Sequence, residues 1–258
     1  MNGKVVMDCI DAAHASIKQH ADEIMVLDQT IGDGDHVFNL IRGLEALRGI
    51  RGDIEALDFG PALKLAASKV LSTVGGSSGP LFSSLLLGMS RACDQLNGDP
   101  RGYAQMYAAG VKAVQDRGKT GRGSKTMMDV LIPVAERLTE LAEREPAVPL
   151  ILAELPKEAA RGVLATRDML ATKGRASFLG ERSLGHIDPG ARSSEIMITA
   201  VCERIGKAVS REGPPRPTDL PPRGAASTRP KAAGQPKAGP AKRDAALPHK
   251  ASVGAVSS

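Results

Sequence analysis

The chain has 258 residues, 42% of them apolar and 24% charged, with 34 Lys/Arg against 29 Asp/Glu and no Trp. This suits one or two globular domains and excludes a membrane span, because no run of about eighteen apolar residues occurs. Aromatic residues at 2% leave no platform on which the bases of single-stranded nucleic acid could stack.

The N-terminal stretch MNGKVVMDCIDAAHASIKQHADE carries acids and lacks a continuous apolar region, so a secretory signal is not expected there and the reading is cytoplasmic. From residue 3 onward apolar residues recur at helical rather than alternating spacing. Eight helices of similar length are predicted, over 3–24, 36–50, 58–73, 79–95, 100–117, 124–142, 149–173 and 191–210. The breaks carry suitable chemistry: Gly52-Asp53, Gly60-Pro61, Asn97-Gly98-Asp99-Pro100, Glu145-Pro146 and Asp188-Pro189-Gly190. Evenly sized amphipathic helices with mostly short links predict an all-α, up-and-down bundle. Cys9, Cys93 and Cys202 have no metal-ligand spacing and read as small buried thiols in a reducing compartment. From Gly213 onward there are nine prolines, eight Lys/Arg, two Asp/Glu and no Phe, Ile, Met, Tyr or Cys. Residues 213–258 are therefore expected to be a disordered basic tail after a domain spanning 1–212. Without those groups the domain keeps 26 basic and 27 acidic residues, so the overall basicity belongs to the tail.

Four links are richer in glycine and polar atoms than a helix–helix turn requires: 26–39, 72–81, 117–127 and 174–194. In an alternating bundle all four fall at the same end, so topology alone predicts that they converge.

The first link contains Asp28, Asp33 and Asp35, with the last two separated by Gly34. Clustered carboxylates repel unless a cation compensates, and hard oxygen ligands suit Mg²⁺ or Ca²⁺. The same residues could instead cap a helix and shape a turn. The second link, Ser72 to Leu81, brings a Gly/Ser loop to a helix start with Pro80 in its first turn, which can act as an anion site or as a plain capped loop. It has no lysine of a Walker motif. The third brings the cations Arg117, Lys119, Arg122 and Lys125 together with three glycines, facing either phosphate or solvent. The fourth, Lys173 to Ala191, exceeds the usual bundle connection, and ordered links of that length tend to be functional. Together, the four point to a nucleotide polyphosphate held by metal, glycine loop and arginine.

The stretches LDxxIGDGDH, SxVGGSSGPL, RGK followed by GSKTMMDVLxPV, and KGRASFLGERSLGHIDPGARSS occur here in that order. As a set they resemble the ADP-binding L subunit of dihydroxyacetone kinase, homologous to the C-terminal domain of the ATP-dependent enzymes, over about residues 3–210. The resemblance implies a closed barrel of eight antiparallel helices with the nucleotide at one end. It implies two Mg²⁺ ions on Asp28, Asp33 and Asp35. It implies ADP or ATP contacts at His36, Val37, Phe38, Asn39, Ser77, Ser78, Gly118, Met127, Arg175, Asp188, Pro189 and Gly190. Arg175 would act in catalysis as a fixed cation for transition-state charge, and Met127 as a soft wall for the base.

The implied partners are a K subunit that holds the ketose covalently and a phosphohistidine M subunit that recharges ADP from phosphoenolpyruvate. Direct use of ATP, a related ketose such as erythrulose, and a regulatory contact with a transcription factor are the alternatives. Binding of nucleic acid by the tail is not expected. His14, His20 and His249 are read as having no special duty, and His186 as a local contact within the fourth link. This chain departs from the family pattern at Val37, where glycine is usual, at Leu40, and at Ser124, where aspartate is usual. Val37 must keep an ordinary backbone conformation. Thr120-Gly121-Arg122 makes the outer rim more basic.

Overall fold

A computed structural model describes residues 2–93, 99–144 and 147–212. The expected breaks at Asn97-Gly98 and Glu145-Pro146, and the whole of 213–258, lie outside the described residues. Among those described there are ten α-helices: α1 Gly3–Gln19, α2 Ala21–Ile31, α3 His36–Gly49, α4 Arg51–Glu55, α5 Phe59–Thr73, α6 Ser78–Ala92, α7 Pro100–Gly118, α8 Met128–Glu143, α9 Val148–Ala165 and α10 Pro189–Glu212. Two 3₁₀ stretches, Thr166–Asp168 and Arg175–Ser183, lie between α9 and α10. No described residue belongs to a strand, and Asn2 forms an isolated bridge with Asp58. No described helix is long and apolar enough to cross a membrane.

The all-helical expectation holds. Eight longer helices pack in sequence, α1 on α3, then α5, α6, α7, α8, α9 and α10, and α10 packs back on α1. Helices two apart in this ring also touch, α1 with α5, α3 with α6 and α8 with α10, so the interior is filled by side chains. One buried cluster joins Val6, Met7, Leu47, Ile54, Leu63 and Val70. Another joins Val130, Val134, Leu155, Val163 and Cys202.

The boundaries differ from expectation for local reasons. The expected helix 3–24 bends at His20, whose φ of −105° and ψ of 17° interrupt the helical path, and then continues to Ile31. The buried residues Ile24, Asp28 and Ile31 sit at helical spacing on that extension. α7 begins where Asp99 accepts a 2.7 Å bond from the Gly102 N–H, with Pro100 in its first turn. α8 starts at Met128 rather than 124. Thr126 Oγ1 accepts from the Met128 N–H, and Asp129 Oδ2 accepts from the Thr126 N–H at 2.8 Å, a reciprocal cap that fixes the start. The helix expected over 149–173 ends at Ala165, where Thr166 turns into the interior.

Pro133 lies inside α8 and brings no N–H to the ladder. Gly162 of α9 packs against the Asp129 carbonyl, the group four residues earlier: a Cβ at position 162 would stand 2.4 Å from that oxygen. The absence of a side chain therefore sets the approach of α8 and α9.

Candidate functional site

The four unusual links do meet at one end of the ring. The first begins inside α2, so Asp28 sits on that helix's last turn, where it is 5% exposed. Gly32 ends the helix, and Gly34 adopts a positive φ of 75°, a conformation glycine enters without steric cost. That turn swings Asp33 and Asp35 back toward Asp28. One carboxylate oxygen from each lies within 4.8 Å of the other two. The His36 N–H donates to Asp28 Oδ2 at 3.0 Å, which fixes the buried member. Asp33 and Asp35 stay exposed. Three hard oxygen donors, two of them open to water, suit a divalent cation that keeps part of its hydration shell, as Mg²⁺ does. Arg175 from the fourth link places Nε 2.7 Å from Asp33 Oδ2.

His36 joins three parts of the site. Its Nε2 lies 2.9 Å from Ser193 Oγ and its Nδ1 3.2 Å from Ser78 Oγ. Ser193 donates its own proton to the Gly190 carbonyl, so it accepts from Nε2–H, and Nδ1 is left to accept from Ser78. Burial lowers the His36 pKa despite the three nearby aspartates, which agrees with a neutral ring. The Gly/Ser loop lies over the first turns of α3: a Cβ at Gly75 would meet Arg42 Nη2 at 3.2 Å and Asn39 Oδ1 at 3.6 Å. Asn39 is buried and accepts from Arg42 at 2.5 Å. Ser78 is the first residue of α6 and Ser77 precedes it, so both stand at a helix start.

Val37 is 1% exposed and packs with Ile17, Ile24, Leu40 and Ile196. Its side chain is core, and only its main chain faces the site. Phe38, by contrast, is 60% exposed. Val37 lies within α3, so its backbone avoids the positive φ that a β-branched residue resists.

The third link keeps Arg117, Lys119 and Arg122 exposed, as a basic loop would, but takes Lys125 inside. Lys125 is fully buried and donates to the backbone carbonyls of Thr166, at 2.6 Å, and His186, at 2.5 Å. Arg122 pairs with Glu136. Two of the four cations are therefore engaged within the protein. Asp129 accepts from the Gly123 N–H at 2.5 Å as well as from Thr126, closing the loop on itself. Met127, 7% exposed, packs with Val111, Val114 and Leu131. Gly118 ends α7 beside this loop.

The fourth link docks through Ile31, Ala171 and Ala176, which form a small apolar cluster with Leu179. Its Thr172 N–H donates to the Ser124 carbonyl at 3.2 Å. Asp188 caps α10: its carboxylate accepts from the Ala191 N–H at 2.7 Å, and its own N–H donates to Thr166 Oγ1 at 3.1 Å. Burial pushes the Asp188 carboxyl up to about 7. Pro189 is buried, and Gly190 lies against Met127, since a Cβ there would be 3.7 Å from the Met127 nitrogen.

The residues that sequence reasoning passed over are Lys125 as a buried group, Asp129, Thr166 and Ser193. The pattern Thr126-x-x-Asp129 is a capping signature that would have found Asp129. Ser193 and Thr166 act through contacts distant in sequence and leave no local signal.

The DAK2 domain matches residues 30–203. The chain is 39% identical over 187 residues to the "PEP-dependent dihydroxyacetone kinase 1, ADP-binding subunit DhaL" of Listeria innocua, covering 72% of this chain and 89% of that one. It is 40% identical over 173 residues to the corresponding ADP-binding subunit of Escherichia coli, covering 67% and 82%. The dihydroxyacetone kinase of C. freundii, solved with AMP-PNP and Mg²⁺, shares the fold at a TM-score of 0.59 and 20% identity. That match covers 78% of this chain but only 34% of the solved one, so the present chain corresponds to about a third of it.

Proposed function

The chain belongs to the DAK2-domain family, and from that premise we propose that it is the nucleotide-binding phosphotransfer subunit of a dihydroxyacetone kinase. In this reading a ketose held on a separate K subunit receives a phosphoryl group from ATP formed on resident ADP. A phosphohistidine M subunit drawing on phosphoenolpyruvate restores that phosphoryl group. The names of the Listeria and E. coli relatives, each an ADP-binding subunit of a PEP-dependent kinase, favour this donor over free ATP. The observation that carries the reading is the meeting of the Asp28, Asp33 and Asp35 carboxylates with the Ser77-Ser78 helix start and Arg175 at one end of the fold.

Each residue's part follows from its chemistry. Asp28, Asp33 and Asp35 would hold two Mg²⁺ ions, which would supply positive charge against the polyphosphate. Ser77, Ser78 and the N–H groups at the start of α6 would hold phosphate oxygens. His36, kept neutral and bonded on both ring nitrogens, would orient Ser78 rather than move a proton. The main chain of Val37, with Phe38 and Asn39, would border the phosphates. Gly118, Met127 and the Asp188-Pro189-Gly190 turn would form the wall against the adenosine. Arg175 would supply the fixed cation for charge developing on the transferred group. Phosphoryl transfer depends chiefly on positioning and charge neutralisation, so half of an enzyme of this kind needs no nucleophile of its own.

The test is to purify the protein in Mg²⁺, denature it and identify what it releases. Stoichiometric ADP that survives gel filtration is expected. A protein that retains no nucleotide and binds no added ADP with Mg²⁺ would falsify the reading.

A further inference from the structure

We propose that Lys125 is a positioning residue for the adenosine side of the site, setting Met127 against the Asp188-Gly190 turn while leaving the carboxylate end alone. The inference rests on the nucleotide-binding reading above and adds to it a residue and a division of labour.

Lysine is almost never fully buried unless its charge is partnered, yet Lys125 is the largest fully buried side chain among those described. Its backbone takes a positive φ of 58°, uncommon for a residue with a Cβ. Both features bring Nζ to two carbonyls, those of Thr166 and His186. Thr166 in turn accepts from the Asp188 N–H through Oγ1. The ammonium thus joins the residue two before Met127 to both sides of the turn that ends at Asp188. Asp129, Asp168 and Asp188 are the carboxylates around it.

A merely structural role is answered by the loop's own bonds. The start of α8 is already closed by the reciprocal Thr126 and Asp129 cap, and Gly123 is held by Asp129. None of these needs the Lys125 side chain, which contributes only the register between the two links. The carboxylate cluster has supports of its own within the first link, the Gly34 turn and the His36 N–H to Asp28, and Lys125 touches neither. A loss at Lys125 should therefore divide the site.

The experiment compares full-chain wild type, Lys125→Met and Lys125→Arg. ADP affinity with Mg²⁺ is read by equilibrium dialysis, and Mn²⁺ affinity with pyrophosphate by electron paramagnetic resonance. Lys125→Met keeps the aliphatic stem and removes the donors. It is expected to weaken ADP by on the order of 10- to 100-fold, with Mn²⁺-pyrophosphate affinity unchanged and with partial recovery in Lys125→Arg. Thr166→Val, which removes the acceptor for the Asp188 N–H, is expected to show the same split and serves if Lys125→Met does not fold. Unchanged ADP affinity in the variants, or parallel loss of ADP and Mn²⁺-pyrophosphate, overturns the proposal. Wild type that binds Mn²⁺-pyrophosphate but not ADP overturns the nucleotide reading itself, and this inference with it.

Discussion

Arg175 Nε stands 2.7 Å from Asp33 Oδ2, so the link before α10 supplies a cation to the carboxylates that follow α2. The same guanidinium is the group assigned to transition-state charge. In the proposed site arginine and divalent cation would address one carboxylate, so that whichever held Asp33 would bear on where the other sat.

Arg175→Gln is expected to tighten Mn²⁺ binding to the nucleotide-free protein while slowing phosphoryl transfer. The side chain is 64% exposed, so the pair is worth at most ~1 kcal/mol, or about a fivefold gain in Mn²⁺ affinity. Loss of the fixed cation should lower the transfer rate on the order of a hundredfold. Unchanged Mn²⁺ affinity would remove Arg175 from the electrostatics of the cluster.

Asp28→Asn retains an acceptor for the His36 N–H but removes the buried charge. Mn²⁺ binding should be lost. The melting temperature without metal should rise or hold, because three close carboxylates repel. Wild type, by contrast, should gain thermal stability when Mg²⁺ and ADP are added, and Asp28→Asn should not. Differential scanning fluorimetry with and without both ligands reads the difference.

The Asp188 carboxyl is pushed up to about 7 from an ordinary 3.8. Between those values the folded protein holds a proton that the unfolded chain has released, so this group's contribution to stability declines as pH rises through that window and is gone above about 7. The slope is up to ~1.4 kcal/mol per pH unit. Asp188→Asn can still accept from the Ala191 N–H. Its urea midpoint should be flatter than that of wild type from pH 5 to 8, with its best standing relative to wild type at pH 8. Parallel profiles would show that Asp188 does not titrate in this range.

Gly162→Ala would place a methyl carbon 2.4 Å from the Asp129 carbonyl oxygen, which forces α8 and α9 apart. Overpacking of this kind costs about 1–3 kcal/mol. The urea midpoint should fall accordingly, and a variant as stable as wild type would show that the two helices are free to separate there.

The sequence made the carboxylate cluster legible because its members lie within eight residues of one another and are joined by a glycine turn, a local pattern. It also announced the convergence of the four links, because alternation of helices puts every second connection at the same end. Lys125 was misread for a physical reason: its partners are two backbone carbonyls, 41 and 61 residues away, and a carbonyl carries no side-chain signature. The end of α9 at Ala165 was missed because no glycine or proline marks it, and the buried Thr166 decides it through Asp188. Asp188-Pro189 did announce a helix start. What it could not announce is how deeply that cap is buried.

α1 begins beside Asp58, where α5 also starts, and α5 then runs toward the Gly/Ser loop. α10 begins at Pro189 in the site and carries the chain away for 24 residues, about 36 Å at 1.5 Å per residue. Asn2 and Glu212, the first and last described residues, therefore both lie away from the carboxylate cluster. A ligand or a second macromolecule reaching the carboxylates and the Gly/Ser loop would therefore meet an end of the helix ring that neither Asn2 nor Glu212 occupies.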